Sequence, residues 1–286
     1  MEINGNKIAD FIGASIKKEI KAKHRPKLVT FLVGDSAEQL SFVKIKAQIA
    51  KKLGIEFELI HFKTVPSFEK LVHLIKEKSN DPQTTGIIIQ QPLPAQLSTD
   101  SIYDYIDEFK EIEGHRHKTP YLPPIGLAVL TLLKYIYGVQ KVDKNVMINF
   151  KKDRVFFKKI LRNKKVVLVG RGITGGKPIG KTLTEVKINY IGVNSKTPES
   201  ELYYKDADII ITAAGKKVLT PEIIKPGAIL INIGIRKEQG RLVGDFNEKE
   251  IENIASFYTP TPGGIGPIDV MYLYRNLVDA VRLQKK

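Results

Sequence analysis

Val166-Val-Leu-Val-Gly-Arg-Gly-Ile-Thr-Gly-Gly-Lys-Pro-Ile-Gly180 decides how this 286-residue chain is read. Four consecutive apolar residues predict a strand buried on both faces, as in a parallel sheet. Gly170, Gly172 and Gly175 follow in G-x-G-x-x-G spacing, and Pro178 suits the first turn of a helix. Together these make a cradle for a pyrophosphate. Glycines let the backbone approach the phosphates, and a helix start offers unpaired N–H groups with a partial positive charge. Three glycines after a strand also read as a plain tight turn, so the motif draws its weight from its surroundings.

Downstream, the pattern predicts strands at Lys187–Val193, Ala207–Thr212 and Ala228–Ile233, then a helix at Asn247–Ala255. Phe257–Pro262 is expected to be extended and to run into Gly263-Gly-Ile-Gly-Pro267, with a closing helix from Ile268 to Gln284. Readers of NAD usually carry an acid roughly 20 residues past the glycines, where it binds the ribose hydroxyls. Here that position reads Val193-Asn-Ser-Lys-Thr197, without a carboxylate. Ser195, Lys196 and Arg171 can donate to a 2′-phosphate, which favours NADP over NAD; the same residues also read as a simple polar turn.

Upstream, Lys27–Gly34, Glu56–Phe62 and Gly86–Gln90 read as strands, separated by helices at Ser36–Leu53 and Phe68–Asn80. The first helix ends at Gly54 and has an apolar stripe including Leu40, Val43 and Ala47. This βαβαβ alternation implies a parallel sheet with its site at the carboxyl ends of the strands. Two prolines in Gln90-Gln-Pro-Leu-Pro94 force the chain out of the sheet there. Helices are expected again at Leu97–Phe109 and Gly126–Tyr137, and the basic, amphipathic Asn149–Ile160 reads as another. The expected division is residues 1–137 as one domain, completed by a C-terminal helix at 268–286, a basic insertion at 138–164, and a nucleotide-binding domain at 165–267.

Composition narrows the classes. With 42% apolar residues the chain can bury a substantial core, and without cysteine it forms neither disulfides nor thiolate sites. No secretory signal or membrane-length apolar run is evident, so a cytoplasmic protein without a membrane partner is expected. The net charge of +15 suits nucleic acid, an anionic surface or polyanionic small molecules. The lysines are dispersed and no nucleic-acid motif appears, so no nucleic-acid partner is expected.

From spacing alone, Lys46 shares a helix face with Phe42 and can act as acid or base, but Lys44, Lys51 and Lys52 beside it make a solvated lysine the plainer reading. Gln90 likewise reads as a loop cap and Glu113 as an exposed carboxylate. His115 and His117 lack an obvious third ligand, so no metal is expected.

Taken together, Val33-Gly-Asp35, Ser41–Lys46, Gln90–Pro94, Lys110-Glu-Ile-Glu-Gly114, the glycine loop, Ala207–Gly215, Gly234-Ile235, Val243-Gly-Asp245 and Thr259–Pro267 resemble, in order, the bifunctional methylenetetrahydrofolate dehydrogenase/cyclohydrolase family. The resemblance implies a two-domain α/β enzyme: an N-terminal αβ folate-binding domain, a Rossmann-type NADP-binding domain, and a cleft between them. It also implies a homodimer and a folate substrate, with or without a polyglutamate tail. NADP would take hydride from 5,10-methylenetetrahydrofolate, and the methenyl product would be hydrolysed to the 10-formyl form. Lys46 matches the principal catalytic lysine, Gln90 the glutamine that hydrogen-bonds it, and Glu113 an aspartate that grips the pterin. Phe42, Pro262, Gly263, Gly264 and Asp269 fall at substrate-binding positions. Gly170, Arg171, Gly172, Thr174, Gly175, Gly176, Lys177, Pro178, Ser195, Lys196, Ala214, Gly215 and Ile235 fall at cofactor positions.

Several of these positions depart from the family pattern. Phe42 replaces tyrosine, Glu113 aspartate, Gln91 leucine, Gly172 serine, Asn232 aspartate and Asp269 threonine, and Leu122-Pro-Pro124 stands for Cys-Thr-Pro. The basic insertion is longer than the pattern allows. A member retaining one activity, and a non-catalytic folate or NADP binder, are therefore the alternatives.

Overall fold

The computed structural model describes residues 1–20 and 25–285. They form two compact units: Gly13–Pro124 with Val270–Lys286, and Met1–Ile12 with Ile125–Asp269. Helix α1 (Gly5–Ile20) runs through the division at residues 12 and 13. It buries Ile8, Ile12 and Ile16, one helical turn apart.

The first unit is built on β1 (Lys27–Val33), α2 (Ala37–Leu53), β2 (Glu56–Phe62), α3 (Phe68–Asn80) and β3 (Gly86–Ile89). Its sheet has the order β2-β1-β3 and is parallel throughout, with Leu28 opposite Gly86 and Lys27 opposite Glu56. Val29, Phe31 and Val33 of β1 pack with Leu71 and Ile75 of α3 and with Ile87 and Ile89 of β3. Strand order reverses at β1, which is where α2 leaves the sheet, so a site is expected at its carboxyl end.

α2 starts where Ser36 accepts the Gln39 N–H and stops at Gly54, whose φ of 80° lets its N–H turn back to the Ala50 and Lys51 carbonyls. It buries Gln39, Val43, Ala50 and Leu53, while Leu40, expected in the apolar stripe, is 38% exposed. Gln39 takes the inward position because its amide donates to the Pro92 carbonyl at 2.7 Å. The helix expected at residues 97–109 is absent: two 3₁₀ segments, Ala95–Leu97 and Asp100–Tyr105, stand there. Ile102, Tyr103 and Ile106 are buried at helix-like spacing. An Asp107 carboxylate that accepts the Phe109 N–H, together with a Ser79 hydroxyl that accepts the Asp107 N–H, redirects the backbone into turns.

The second unit continues with α4 (Pro124–Tyr137), α5 (Phe150–Ile160), β4 (Val166–Val169), α6 (Gly176–Glu185), β5 (Ile191–Val193), α7 (Ser200–Asp206), β6 (Ile209–Thr212) and β7 (Ile229–Asn232). The remaining elements are the hairpin β8 (Arg236–Glu238) and β9 (Arg241–Val243), then α8 (Glu248–Ile251), β10 (Phe257–Tyr258) and α9 (Ile265–Leu283). A parallel sheet of order β10-β7-β6-β4-β5 reverses direction at β4, directly before the glycine loop. The basic 138–164 segment packs within this unit. Val146 and Phe157 are buried, and Lys134 of α4 meets the buried Asp153 of α5 at 2.7 Å.

Element lengths differ from expectation in places. β5 begins only at Ile191 because Lys187, at φ 62°, and Ile188 still close the end of α6. α8 covers four residues and β10 two, while α9 starts at Ile265 with Pro267 in its first turn.

Candidate functional site

In the unit containing residues 13–124, α2 and the end of β3 bring two expected site residues together. Lys46 Nζ donates to Gln90 Oε1 at 2.8 Å. The lysine is half-buried and Gln90 is buried. Gln90 extends β3 by one rung, its N–H bonding the Phe31 carbonyl at 2.8 Å. The Lys46 carbonyl is in turn held by the hydroxyl of the buried Tyr274 of α9 at 2.6 Å. Burial pushes that phenol up, so it stays a donor. Phe42 lies half-buried one turn before Lys46.

Beyond Gln90 the chain is fixed by side chains instead of a ladder. Gln90 Nε2 donates to the Gln91 carbonyl at 2.8 Å, Gln91 Oε1 accepts the Leu93 N–H at 3.0 Å, and Gln91 Nε2 donates to the Tyr103 hydroxyl at 2.7 Å. Tyr103 stacks on His115 with ring centroids 4.6 Å apart. Burial raises the Tyr103 phenol, and the charges of Glu113 and Glu111 raise it further. Glu111 is buried and accepts the N–H groups of Glu113 at 3.0 Å and Arg116 at 3.1 Å. Desolvation lifts its carboxyl to about 7, above the level those backbone bonds alone would allow. Glu113, half-buried, thus sits on a loop clamped by Glu111. Gln91 and Tyr103 are absent from the expected site residues. The signal for them lay in the departure at Gln91, but the reading of residues 97–109 as a regular helix hid its partner.

In the other unit, Gly170 has φ 103°, and a Cβ there would lie 2.3 Å from the Ala213 carbonyl. A Cβ on Gly176 would lie 2.1 Å from the Gly170 carbonyl, so α6 packs directly onto the turn. The middle glycine of the motif differs: a Cβ on Gly172 would meet nothing within 4 Å. A Cβ on Gly175 would lie 2.9 Å from the Ala213 side chain, so Gly170, Gly175 and Gly176 are what the loop requires. Gly175 caps α6, Pro178 is buried in its first turn, and Thr174 and Lys177 are exposed.

β4 and β5 pair with Val169 opposite Val193. Arg171 and Ser195 therefore stand two residues beyond matched positions on neighbouring strands, with Lys196 next in line. All three are exposed, a cationic, donor-rich pair of loop starts with Asn194 where an acid would repel phosphate.

Asn232 organises the next loop. Its Oδ1 accepts from Thr212 Oγ1 at 3.0 Å and from the Asp245 N–H at 2.8 Å, and its Nδ2 donates to the Gly234 carbonyl at 2.8 Å and to Thr261 Oγ1 at 2.7 Å. An aspartate could not make the bond to the Gly234 carbonyl, so this departure has a structural use. Asp245 Oδ2 then holds the Ala214 N–H at 2.8 Å, and burial raises the Asp245 carboxyl. Gly215, at φ 65°, and Ile235, 38% exposed, flank this point.

Pro262, Gly263, Gly264 and Asp269 lie in the same unit, around the start of α9, where the Gly263 carbonyl accepts the Gly5 N–H at 2.9 Å. Among the described residues no group of three or more His, Cys, Asp or Glu is arranged to hold a metal, and no helix is long and apolar enough to cross a membrane.

Residues 3–113 match the catalytic domain of tetrahydrofolate dehydrogenase/cyclohydrolase, and residues 155–285 match its NAD(P)-binding domain. A bifunctional protein FolD from Geobacillus thermodenitrificans is 32% identical, over 98% of this chain and 96% of its own length. The bifunctional FolD methylenetetrahydrofolate dehydrogenase/cyclohydrolase of Campylobacter jejuni is 27% identical, with a TM-score of 0.86 over 99% of both chains. A 5,10-methylenetetrahydrofolate dehydrogenase from the silkworm Bombyx mori is also 27% identical, with a TM-score of 0.82 over 99% of this chain and 98% of its own. The chain belongs to the tetrahydrofolate dehydrogenase/cyclohydrolase family.

Proposed function

We propose that this protein oxidises 5,10-methylenetetrahydrofolate to 5,10-methenyltetrahydrofolate with NADP and hydrolyses the product to 10-formyltetrahydrofolate, as an enzyme of one-carbon metabolism. The observation that carries the reading is the Lys46–Gln90 hydrogen bond of 2.8 Å at the carboxyl ends of a parallel sheet. In hydrolysis water adds to the methenyl carbon, a proton must leave that water, and another must reach the departing ring nitrogen. Lys46 Nζ is the group that holds and moves a proton there, with Gln90 Oε1 fixing its direction. Phe42 offers a ring face beside it, and Glu113 a carboxylate for the donor groups of the pterin. Pro262, Gly263, Gly264 and Asp269 are the further positions proposed for folate.

The cofactor fit rests on the glycine loop. Gly170 and Gly176 leave no room for side chains under the turn, Gly175 starts α6, and Arg171, Ser195 and Lys196 are exposed donors where a 2′-phosphate would sit. These residues, with Gly172, Thr174, Lys177, Pro178, Ala214, Gly215 and Ile235, would hold NADP, which supplies a hydride acceptor when bound. The side chains therefore align rather than react in the first step.

The expected working form is a cytoplasmic homodimer. Exposed Ile191 on the edge strand β5, with Leu202 and Tyr203 of α7, supports self-association, and the net charge of +15 supports polyglutamylated folates as substrates.

The test is a spectrophotometric assay of methylenetetrahydrofolate oxidation with NADP and NAD compared, followed by methenyl decay. Lys46→Ala should abolish hydrolysis and leave measurable oxidation, and an unchanged hydrolysis rate would remove the assigned role. Loss of one activity in the native protein would identify a member narrowed by its Phe42 and Glu113 departures. Tight binding without turnover would identify a non-catalytic binder.

A further inference from the structure

We propose that Gln91 and Tyr103 are a positioning pair for the hydrolytic step, their hydrogen bond fixing the Gln91 carbonyl that keeps the Gln90 amide turned with its oxygen toward Lys46. The proposal rests on the reading that Lys46 and Gln90 carry hydrolysis.

A side-chain amide has an accepting and a donating end, and half a turn exchanges them. Were Gln90 reversed, its NH₂ would face the Lys46 ammonium and two donors would meet. The orientation is decided by the far end, where Gln90 Nε2 finds the Gln91 carbonyl at 2.8 Å. That carbonyl lies where β3 has ended and Pro92 has no N–H for a ladder, so side chains determine its position. Gln91 uses its whole amide for this: Oε1 takes the Leu93 N–H at 3.0 Å and Nε2 reaches Tyr103 at 2.7 Å. The Pro92 carbonyl is anchored independently by Gln39 at 2.7 Å.

Tyr103 is a firm anchor because it is 2% exposed and stacked on His115. Its phenol, pushed up by burial and by the neighbouring carboxylates, keeps its proton and offers its oxygen to Gln91. Through His115 the same ring abuts the loop that carries Glu113. One buried pair thereby ties the lysine's partner to the segment proposed to grip the pterin.

The experiment compares Gln91→Met, Tyr103→Phe and the double variant with the wild-type holoenzyme, measuring hydrolysis, oxidation, the pH profile of hydrolysis and thermal stability. Methionine keeps the length of Gln91, and phenylalanine keeps the stack on His115. Each single variant should lower kcat for methenyl hydrolysis by roughly ten-fold, leave the folate KM within about three-fold, shift the pH profile, and change oxidation by less than about three-fold. The double variant should be no less stable than Gln91→Met alone, since the Tyr103 hydroxyl goes together with its partner and only the Leu93 N–H stays unpaired, yet hydrolyse no faster than either single. Unchanged hydrolysis and pH profile, or a loss shared equally by both activities in step with stability, would overturn the pairing. Lys46→Ala assayed alongside separates the two levels. If it hydrolyses normally, the reading of the site fails and the pair with it; if it is inactive while Gln91→Met and Tyr103→Phe keep wild-type hydrolysis, only the pair fails.

Discussion

Gly176 and Gly172 sit four residues apart in the glycine loop and make opposite demands on sequence. A methyl group at Gly176 would press on the Gly170 carbonyl at 2.1 Å, whereas one at Gly172 would point into open space. Gly176→Ala should therefore destabilise the fold by about 2 kcal/mol or more, as overpacking against backbone does, and weaken NADP binding. Gly172→Ser should stay within about 0.5 kcal/mol. Urea unfolding of the two variants separates them, and equal losses would contradict this account of the loop. Glu111 supplies a pH dependence. Its carboxyl titrates at about 7 in the fold against an ordinary 4.5. Between those values the folded protein binds the extra proton, so stability falls as pH rises through this range. The contribution is complete below about 4.5, lost above about 7, and of the order of 3 kcal/mol. Glu111→Gln should flatten the stability curve between about pH 4.5 and 7, and an identical slope in both proteins would show that another group titrates.

At the scale of elements, α5 is held by a buried charge pair as well as by Phe157. Asp153 Oδ2 accepts from Lys134 Nζ at 2.7 Å and from the Asn149 N–H at 2.6 Å. Asp153→Ala leaves the lysine nearly buried without its carboxylate and should cost about 3 kcal/mol, whereas Lys134→Met with Asp153→Leu should cost much less. Chemical denaturation of the three proteins measures the difference, and a double variant as unstable as Asp153→Ala would refute it. Sequence made the regular elements legible because their periods are local: β1, α2, β2, α3, β3 and β4 lie where apolar patterning and caps put them. The stretch at 97–109 misled because Ile102, Tyr103 and Ile106 satisfy both 3₁₀ and α spacing, and the backbone's competing bonds to Ser79 and Asp107 are tertiary or turn-specific. The β8–β9 hairpin was readable in principle from Gln239-Gly240, whose φ values of 50° and 78° are those of a two-residue turn. α1 has no counterpart among the expected elements, although Ile8, Ile12 and Ile16 keep a helical period. The Lys46–Gln90 contact joins residues 44 apart. Lys44, Lys51 and Lys52 make Lys46 look solvated on its own helix, so only the parallel pairing of β1 with β3 reveals its partner, and family resemblance was needed to single it out.

At the scale of the whole molecule, the charge of +15 is the property least explained by the fold, since a sheet and its helices need no net charge to pack. Much of the excess is dispersed lysine, which keeps the surface solvated, but Arg171 and Lys196 concentrate part of it at the loop starts proposed for the 2′-phosphate. Long-range attraction acts on encounter and fades with the screening length, which shrinks from about 30 Å at 0.01 M salt to about 8 Å at 0.15 M. Steering should therefore appear in kcat/KM for NADP, falling several-fold across that range, while kcat stays constant because the bound complex is already screened by its own contacts. NAD, lacking the 2′-phosphate, should show a shallower slope, and Lys196→Ala should bring the NADP slope down toward it. Initial rates at limiting dinucleotide across a salt series supply the comparison. Equal slopes for NADP and NAD would assign the whole excess to general solvation and detach the positive charge from cofactor choice.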